Sequence, residues 1–369
     1  MSQISDNDRQ ALRDGFARFL ETNANEEKLR QGIASERGYD EGIWGQMAAM
    51  GLLGIAVPED LGGIGGGAVD VALVAEEIGK KLLPVPYVST CVVAAELIAR
   101  FAPVSVQREL LPKISGGTLV VSVGGAGDCI PYADDENSLS ATHGNDGWAV
   151  SGDVSYVPHG GHADYHLLGT MENGSQALYL ISASENVSVS PMTSNDPAQR
   201  LSRLHLTDAK AVKLEGLAPS GLGQASMRSI AAAAAEQAGA ARAIFDITME
   251  YLRTRYQFGR PIGSFQAMKH MAAELLVEVE SATSAALTAA RMIDAGSVDA
   301  AKFVALAAFT CKDAFRAVSA QAIQMHGGIA YTEEHIAHLY WRRARASIPL
   351  FGHSDHYREQ YLKAREAAL

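Results

Sequence analysis

One corner constrains this chain more than any other stretch: residues 251–267 read YLRTRYQFGRPIGSFQA and stand between two long helical patterns. Upstream, residues 224–256 contain no proline, one glycine (Gly239) and an unbroken alanine run from 231 to 235, which favours helix and leaves a slim, closely packable surface. Downstream, Met268, Met271, Leu275, Val279, Ala282 and Ala286 recur at close to the helical period and predict a buried helical face over 266–295. Gly259, Pro261 and Gly263 punctuate the turn between them, and Pro261 disfavours helix at Arg260. The corner is expected to present Arg255, Gln257 and Gln266 beside exposed Phe258 and Phe265. Guanidinium and amide donors next to an aromatic wall suit a flat, phosphate-bearing cofactor. The same residues also suit a purely local role, capping and stapling two helices.

Bulk properties exclude several classes. The chain has 369 residues, 47% apolar and 20% charged, which is ordinary globular composition with room for two or three domains. No 18-residue apolar run exists and the first ten residues lack a hydrophobic signal core, so the expectation is a cytoplasmic protein with no membrane partner. A formal charge of 31 minus 42, or −11, argues against nucleic acid. Cys91, Cys129 and Cys311 are far apart and read as small buried hydrophobes in a reducing compartment. His159 with His162, or His335 with His338, lacks a third ligand nearby, so no metal is expected.

Taken in order, residues 7–115 read as helices at 8–21, 40–50, 68–79 and 90–101. Between the second and third lies VPEDLGGIGGG, residues 57–67, a glycine-rich loop with no lysine at phosphate-loop spacing. From 117 to about 217 the texture becomes β: runs at 118–123, 148–157, 166–170, 177–182 and 203–213 predict a small antiparallel barrel or sandwich. Residues 224–367 are helical again, in four or five helices broken at Gly296, Gly327, Gly328 and Gly352. The expected architecture is α+β and multidomain: a helical domain at 1–116, a β domain at 117–220 and a helical bundle at 221–369. The small-residue faces at 231–243 and 300–308 allow close helix packing, and the bundle helices are expected to make the main oligomer interface.

Five strings in this order resemble the acyl-CoA dehydrogenase family over nearly the whole chain. The corner is similar to the family's R-x-x-F-G turn, whose Arg and Phe reach across a dimer interface to the neighbouring subunit's FAD. The loop at 57–67 resembles V-P-E-x-x-G-G-x-G. WAVSGDVSYVPHGGHAD (148–164), QMHGGIAYTEEH (324–335) and WRRARASIPLFGHSD (341–355) resemble three further family strings. The resemblance implies an N-terminal helical domain, a middle β domain, a C-terminal four-helix bundle, FAD, and α,β-dehydrogenation of an acyl-CoA thioester. In that reaction a carboxylate removes the α proton while the β hydrogen leaves as hydride.

The chain departs from the family where the chemistry is done. The position matching the usual glutamate of Y-E-G-T-S is Phe351, which cannot accept a proton. The alternative glutamate position, near the start of the helix before the corner, matches Ser229, and the arginine that usually follows is Ile230. The nearest carboxylate is Glu236, two turns further on and on a similar face; it reads either as a structural group or as a base. The family's T-E-P segment is replaced by SVGGAGDC (122–129), and the hydroxyl expected against the flavin is Pro158, with Tyr156 in the aromatic position. By contrast Arg255, Phe258, Gln266, Gln324, Gly327 and Gly328, the cross-subunit positions, are intact. This asymmetry is similar to the α2β2 acyl-CoA dehydrogenases of steroid-degrading bacteria, in which one subunit supplies the base. The resemblance implies a non-catalytic subunit lending FAD-binding residues to a catalytic partner, with a steroid side-chain CoA ester as a candidate substrate and electron-transfer flavoprotein as acceptor. Two other readings stay open: a self-sufficient homo-oligomeric flavoenzyme with Glu236 as base, and a non-catalytic scaffold that has lost FAD.

Overall fold

The computed structural model describes residues 4–127, 130–133, 138–172, 174–217 and 219–366. The first region is helical: α1 (Asp6–Asn23), α2 (Glu26–Ala34), α3 (Glu41–Ala49), α4 (Ala68–Lys80), α5 (Ala95–Phe101) and α6 (Val104–Ser115). The helices start where capping chemistry allows. The side chains of Ser5, Asn25 and Asp40 accept from backbone N–H groups in the first turns of α1, α2 and α3. A π-helical segment, Tyr87–Ala94, runs directly into α5. Its Thr90 hydroxyl donates to the Val121 carbonyl at 2.9 Å, tying the helical region to the first strand.

The middle region is one seven-stranded sheet: β1 (Val121–Gly125), β2 (Ser140–Gly144), β3 (Gly147–Pro158), β4 (Tyr165–Glu172), β5 (Ser175–Ser182), β6 (Val187–Met192) and β7 (Leu201–Lys213). The order is β1-β4-β5-β7-β3-β2, with β6 also paired to β7. It is mixed rather than wholly antiparallel, because β1 runs parallel to β4. Val150, Val154, Leu168, Tyr179, Leu204 and Leu206 form its core. Two register shifts in β3, the second between Val154 and Val157, re-aim the end of that strand.

The last region holds α7 (Pro219–Thr254), α8 (Gln266–Asp294), α9 (Ala300–His326), α10 (Ala337–Ala346) and α11 (Ser354–Glu366). α7 is the spine. Its alanines 231–235 are all buried and pack against α4 and α9, so this small-residue face is committed to packing within the chain rather than to an oligomer contact. The glycine-rich loop leads into α4, whose first amides, Ala68 and Val69, donate to the Asp294 carboxylate at the end of α8 at 2.6 and 3.0 Å. Those donors are taken, so the loop is a structural joint between the helical region and the bundle. Among the described residues, no helix is long and apolar enough to cross a membrane.

Candidate functional site

The sheet, α7, α10 and the segment after α4 converge on a cleft holding a cavity of only about 80 Å³. Pro158 ends β3 there, and Leu350, Glu236 and Arg343 also line the space. Arg343, buried on α10, is one of its lining residues: Nε donates to Asp196, and Nη1 reaches the Glu236 carboxylate at 3.3 Å. Burial raises the Glu236 pKa, and the Arg343 charge opposes that rise. Gln199 donates to the Tyr132 hydroxyl at 2.5 Å, and burial pushes that phenol up. His159 has a left-handed backbone, and its desolvated ring is held to about pKa 4.

Neither family base position opens into this space. Ser229 is fully buried and its hydroxyl donates to the Ala225 carbonyl at 2.9 Å, one turn back along α7. The cavity therefore takes Glu236 from α7 but not Ser229, although the two share a helix face. Phe351 sits in the main hydrophobic core with φ 55°. Its N–H donates to the Pro131 carbonyl at 2.6 Å, and its carbonyl accepts from the Tyr357 hydroxyl. Tyr156, which stands in the aromatic position of the resembling family string, is 45% exposed with φ 60°, and its N–H points to the Met192 sulfur. The Ser122 hydroxyl is buried against His166 Nδ1 at 2.7 Å. Asp128 and Cys129, the end of the SVGGAGDC string, lie outside the described residues. Cys91 and Cys311 are buried and their thiols are pushed up, which removes nucleophilic character.

The corner between α7 and α8 is the opposite case. Tyr256 pairs with Pro261 and Gln257 with Arg260, leaving Phe258 and Gly259 as a two-residue turn with φ 54° and 77°. Positive φ at both central residues is the hairpin turn that matches strand twist. Phe258 stands 91% exposed at its tip. Phe265 is half-buried rather than exposed, held edge-on to Phe258 with ring centroids 6.1 Å apart and covered by Arg260 at 4.1 Å. Arg255, Gln257 and Gln266 are exposed. Gln324, Gly327 and Gly328, about 70 residues later, join the same surface: Tyr251, one turn before Arg255, stacks on His326 with centroids 4.5 Å apart. Added Cβ atoms on Gly259, Gly327 or Gly328 would meet nothing of this chain within 4 Å.

The two regions fit a flavin cofactor differently. The cleft does not: its volume is well below the ~300 Å³ at which small-ligand pockets begin, and Pro158 brings neither hydroxyl nor N–H. The corner does, because a cation, three amides, the Phe258 ring and open glycines face outward together, with the half-buried Phe265 ring behind them. Sequence reasoning missed Arg343 and Asp196. Arg343 had a signal, since Leu339, Tyr340 and Ala344 share its buried helix face; Asp196, in an irregular loop, had none.

A helical region, a middle sheet and a helical bundle with this exposed corner define an acyl-CoA dehydrogenase fold. Comparison with known proteins agrees: residues 6–118 match the acyl-CoA dehydrogenase N-terminal domain and residues 227–364 the C-terminal domain. Acyl-CoA dehydrogenase IpdE2 of Mycobacterium tuberculosis is 32% identical over 93% of this chain and 92% of its own length. Among solved structures, the Tcur3481-Tcur3483 steroid ACAD superposes with TM-score 0.87 at 27% identity, covering 98% of each chain. The ChsE4-ChsE5 complex from Mycobacterium tuberculosis gives 0.87 at 25% identity, over 100% of this chain and 99% of that one. The chain belongs to the acyl-CoA dehydrogenase family. Its cofactor is FAD.

Proposed function

We propose that this chain is the non-catalytic subunit of an FAD-dependent acyl-CoA dehydrogenase, lending cofactor contacts to a catalytic partner that supplies the base. The observation that carries this reading is the contrast between its two half-sites: the internal cleft, lined by Pro158, Glu236 and Arg343, holds only about 80 Å³, while the corner remains open, polar and aromatic. Two of the similar structures, ChsE4-ChsE5 and Tcur3481-Tcur3483, each join two differently named chains, which supports pairing with an unlike partner. In this reading Arg255 meets the pyrophosphate and Gln257, Gln266 and Gln324 hydrogen-bond along the cofactor. Phe258 and Phe265 wall it, and Gly327 and Gly328 let it approach closely. When bound, FAD supplies the hydride acceptor for the β hydrogen of the acyl-CoA. The reading extends to a heterotetramer, an electron-transfer flavoprotein as acceptor, a steroid side-chain CoA ester as substrate, and a cytoplasmic location. It also takes residues 1–116, 117–220 and 221–369 as the three domains, with limits between α6 and β1 and at the start of α7.

Replacing Arg255 with alanine removes a charge-assisted contact of roughly 1.5 to 3 kcal/mol, a tenfold to hundredfold loss of FAD affinity in the complex. Unchanged FAD occupancy in that variant contradicts the assignment. Absence of FAD from both the chain and the complex favours a scaffold. A second reading, a self-sufficient flavoenzyme, has one observation in its favour: Glu236 lines the cavity and burial raises its pKa. Stoichiometric FAD and acyl-CoA turnover in the chain purified alone would establish that reading instead.

A further inference from the structure

The exposed surface at the corner is assembled from two segments about 70 residues apart, so its use depends on their spacing. The geometry points to Tyr251 and His326 as positioning residues that hold the Arg255 corner and the Gln324–Gly328 turn at one distance, an inference that rests on the function proposed above. Tyr251 lies in the last turn of α7, and its carbonyl accepts from the Arg255 N–H at 2.9 Å. His326 is the last residue of α9, between Gln324 and Gly327. Their rings stack at 4.5 Å with planes 30° apart, and the Tyr251 hydroxyl donates to the His326 carbonyl at 3.3 Å.

The His326 ring is itself fixed. It is 4% exposed, and Nδ1 lies 2.8 Å from the Ala322 carbonyl, so Nδ1 carries the proton. His335 lies against it with centroids 4.6 Å apart and planes tilted by 59°, so the His326 ring is held by Tyr251 and His335 together. Nε2 is buried with no hydrogen-bond partner among the described residues, a cost that a purely apolar filler would avoid. The Gly327 N–H, bonded to the Ile323 and Gln324 carbonyls, shapes the turn itself, and the ring contacts fix it against α7. Gly327 and Gly328 have open space on the side where a Cβ would stand, and Gly327 has φ 69°.

The test is FAD affinity of the co-purified complex, read by flavin fluorescence on dilution. Tyr251→Ala or His326→Ala should weaken FAD by about threefold to tenfold, the size of one aromatic pair. Tyr251→Phe, which keeps the stack, should restore affinity to within about twofold of the native complex. The discriminating readout is a cycle of Tyr251→Ala with Gln324→Ala. If Tyr251 acts by placing the turn, the double variant loses less than the product of the single losses. Multiplicative losses, or Tyr251→Ala leaving FAD affinity unchanged, overturn the inference. If His326→Ala fails to fold, the Tyr251 cycle decides alone. Arg255→Ala is the control: no effect there sinks the functional reading itself, whereas a loss there beside an inert Tyr251→Ala sinks only this inference.

Discussion

Among the described residues six non-glycine side chains stand on left-handed backbone; His159 borders the closed cleft, Phe351 adjoins its lining residue Leu350, and Phe258 tips the corner. Left-handed backbone costs a bulky residue about 1 to 3 kcal/mol, so it persists only where the surroundings over-determine it. For Phe351 those surroundings are the Pro131 carbonyl and the Tyr357 hydroxyl, which hold an apolar ring at the position where the family resemblance leads one to expect the base. Glu236 is the remaining carboxylate, and its Arg343 partner makes it a structural group in this account. Glu236→Gln in the complex should therefore cost turnover only a few fold, since deleting a general base costs on the order of a hundredfold or more. Collapse of turnover with FAD still bound would make Glu236 the base. His166 provides a pH test. It is fully buried, and desolvation lowers its pKa to about 4 from the ordinary 6.5. Between those values the unfolded chain binds more protons than the folded one, so stability is lost as pH falls from 6.5 towards 4, by up to about 3 kcal/mol. Replacing His166 with glutamine should flatten that slope in urea titrations; an unchanged slope would remove His166 from the account.

At the scale of elements, α4 and α7 meet through reciprocal glycines. A Cβ on Gly79 would lie 1.9 Å from the Glu236 carbonyl oxygen, and one on Gly239 would lie 2.1 Å from that of Glu76. Helix propensity alone favours Gly239→Ala by about 1 kcal/mol. The contact should win, because both obstructions are backbone: we expect a net loss of about 1 to 3 kcal/mol in urea unfolding, and a stabilised variant would contradict this packing. The lone glycine in the α7 pattern was legible in the sequence; its partner on α4 was not, because closeness across 160 residues leaves no local mark. The same division runs through the fold. Long periodic segments such as α7 and α8, and apolar strands such as β3 and β5, were legible. β2 was missed because its face is exposed and does not alternate, and β6 because it is short, mostly exposed and contains Pro191. α2 and α6 were missed for interior breakers, Gly32 and Pro112. At the site, the spacing of the corner string was legible from composition and turn chemistry, whereas the Arg343–Asp196 ion pair beside the cleft arises only when α10 meets the loop between β6 and β7.

At the scale of the whole molecule, the two half-sites set a stoichiometry. In the proposed function one chain holds the ring and thioester and the other reaches over; the exposed corner of this chain suits the reach, and its cleft of about 80 Å³ is too small for the ring. The α7 alanines pack inward, while Arg255, Gln257, Phe258, Gln324, Gly327 and Gly328 are exposed; in the proposed function these residues meet the partner's cofactor. Chain-alone preparations should accordingly be colourless, and yellow colour should follow the partner. The most direct measurement is flavin absorbance against protein concentration in the co-purified, dialysed complex. One FAD for every two chains is the expected result; one FAD for every chain would contradict the proposed function.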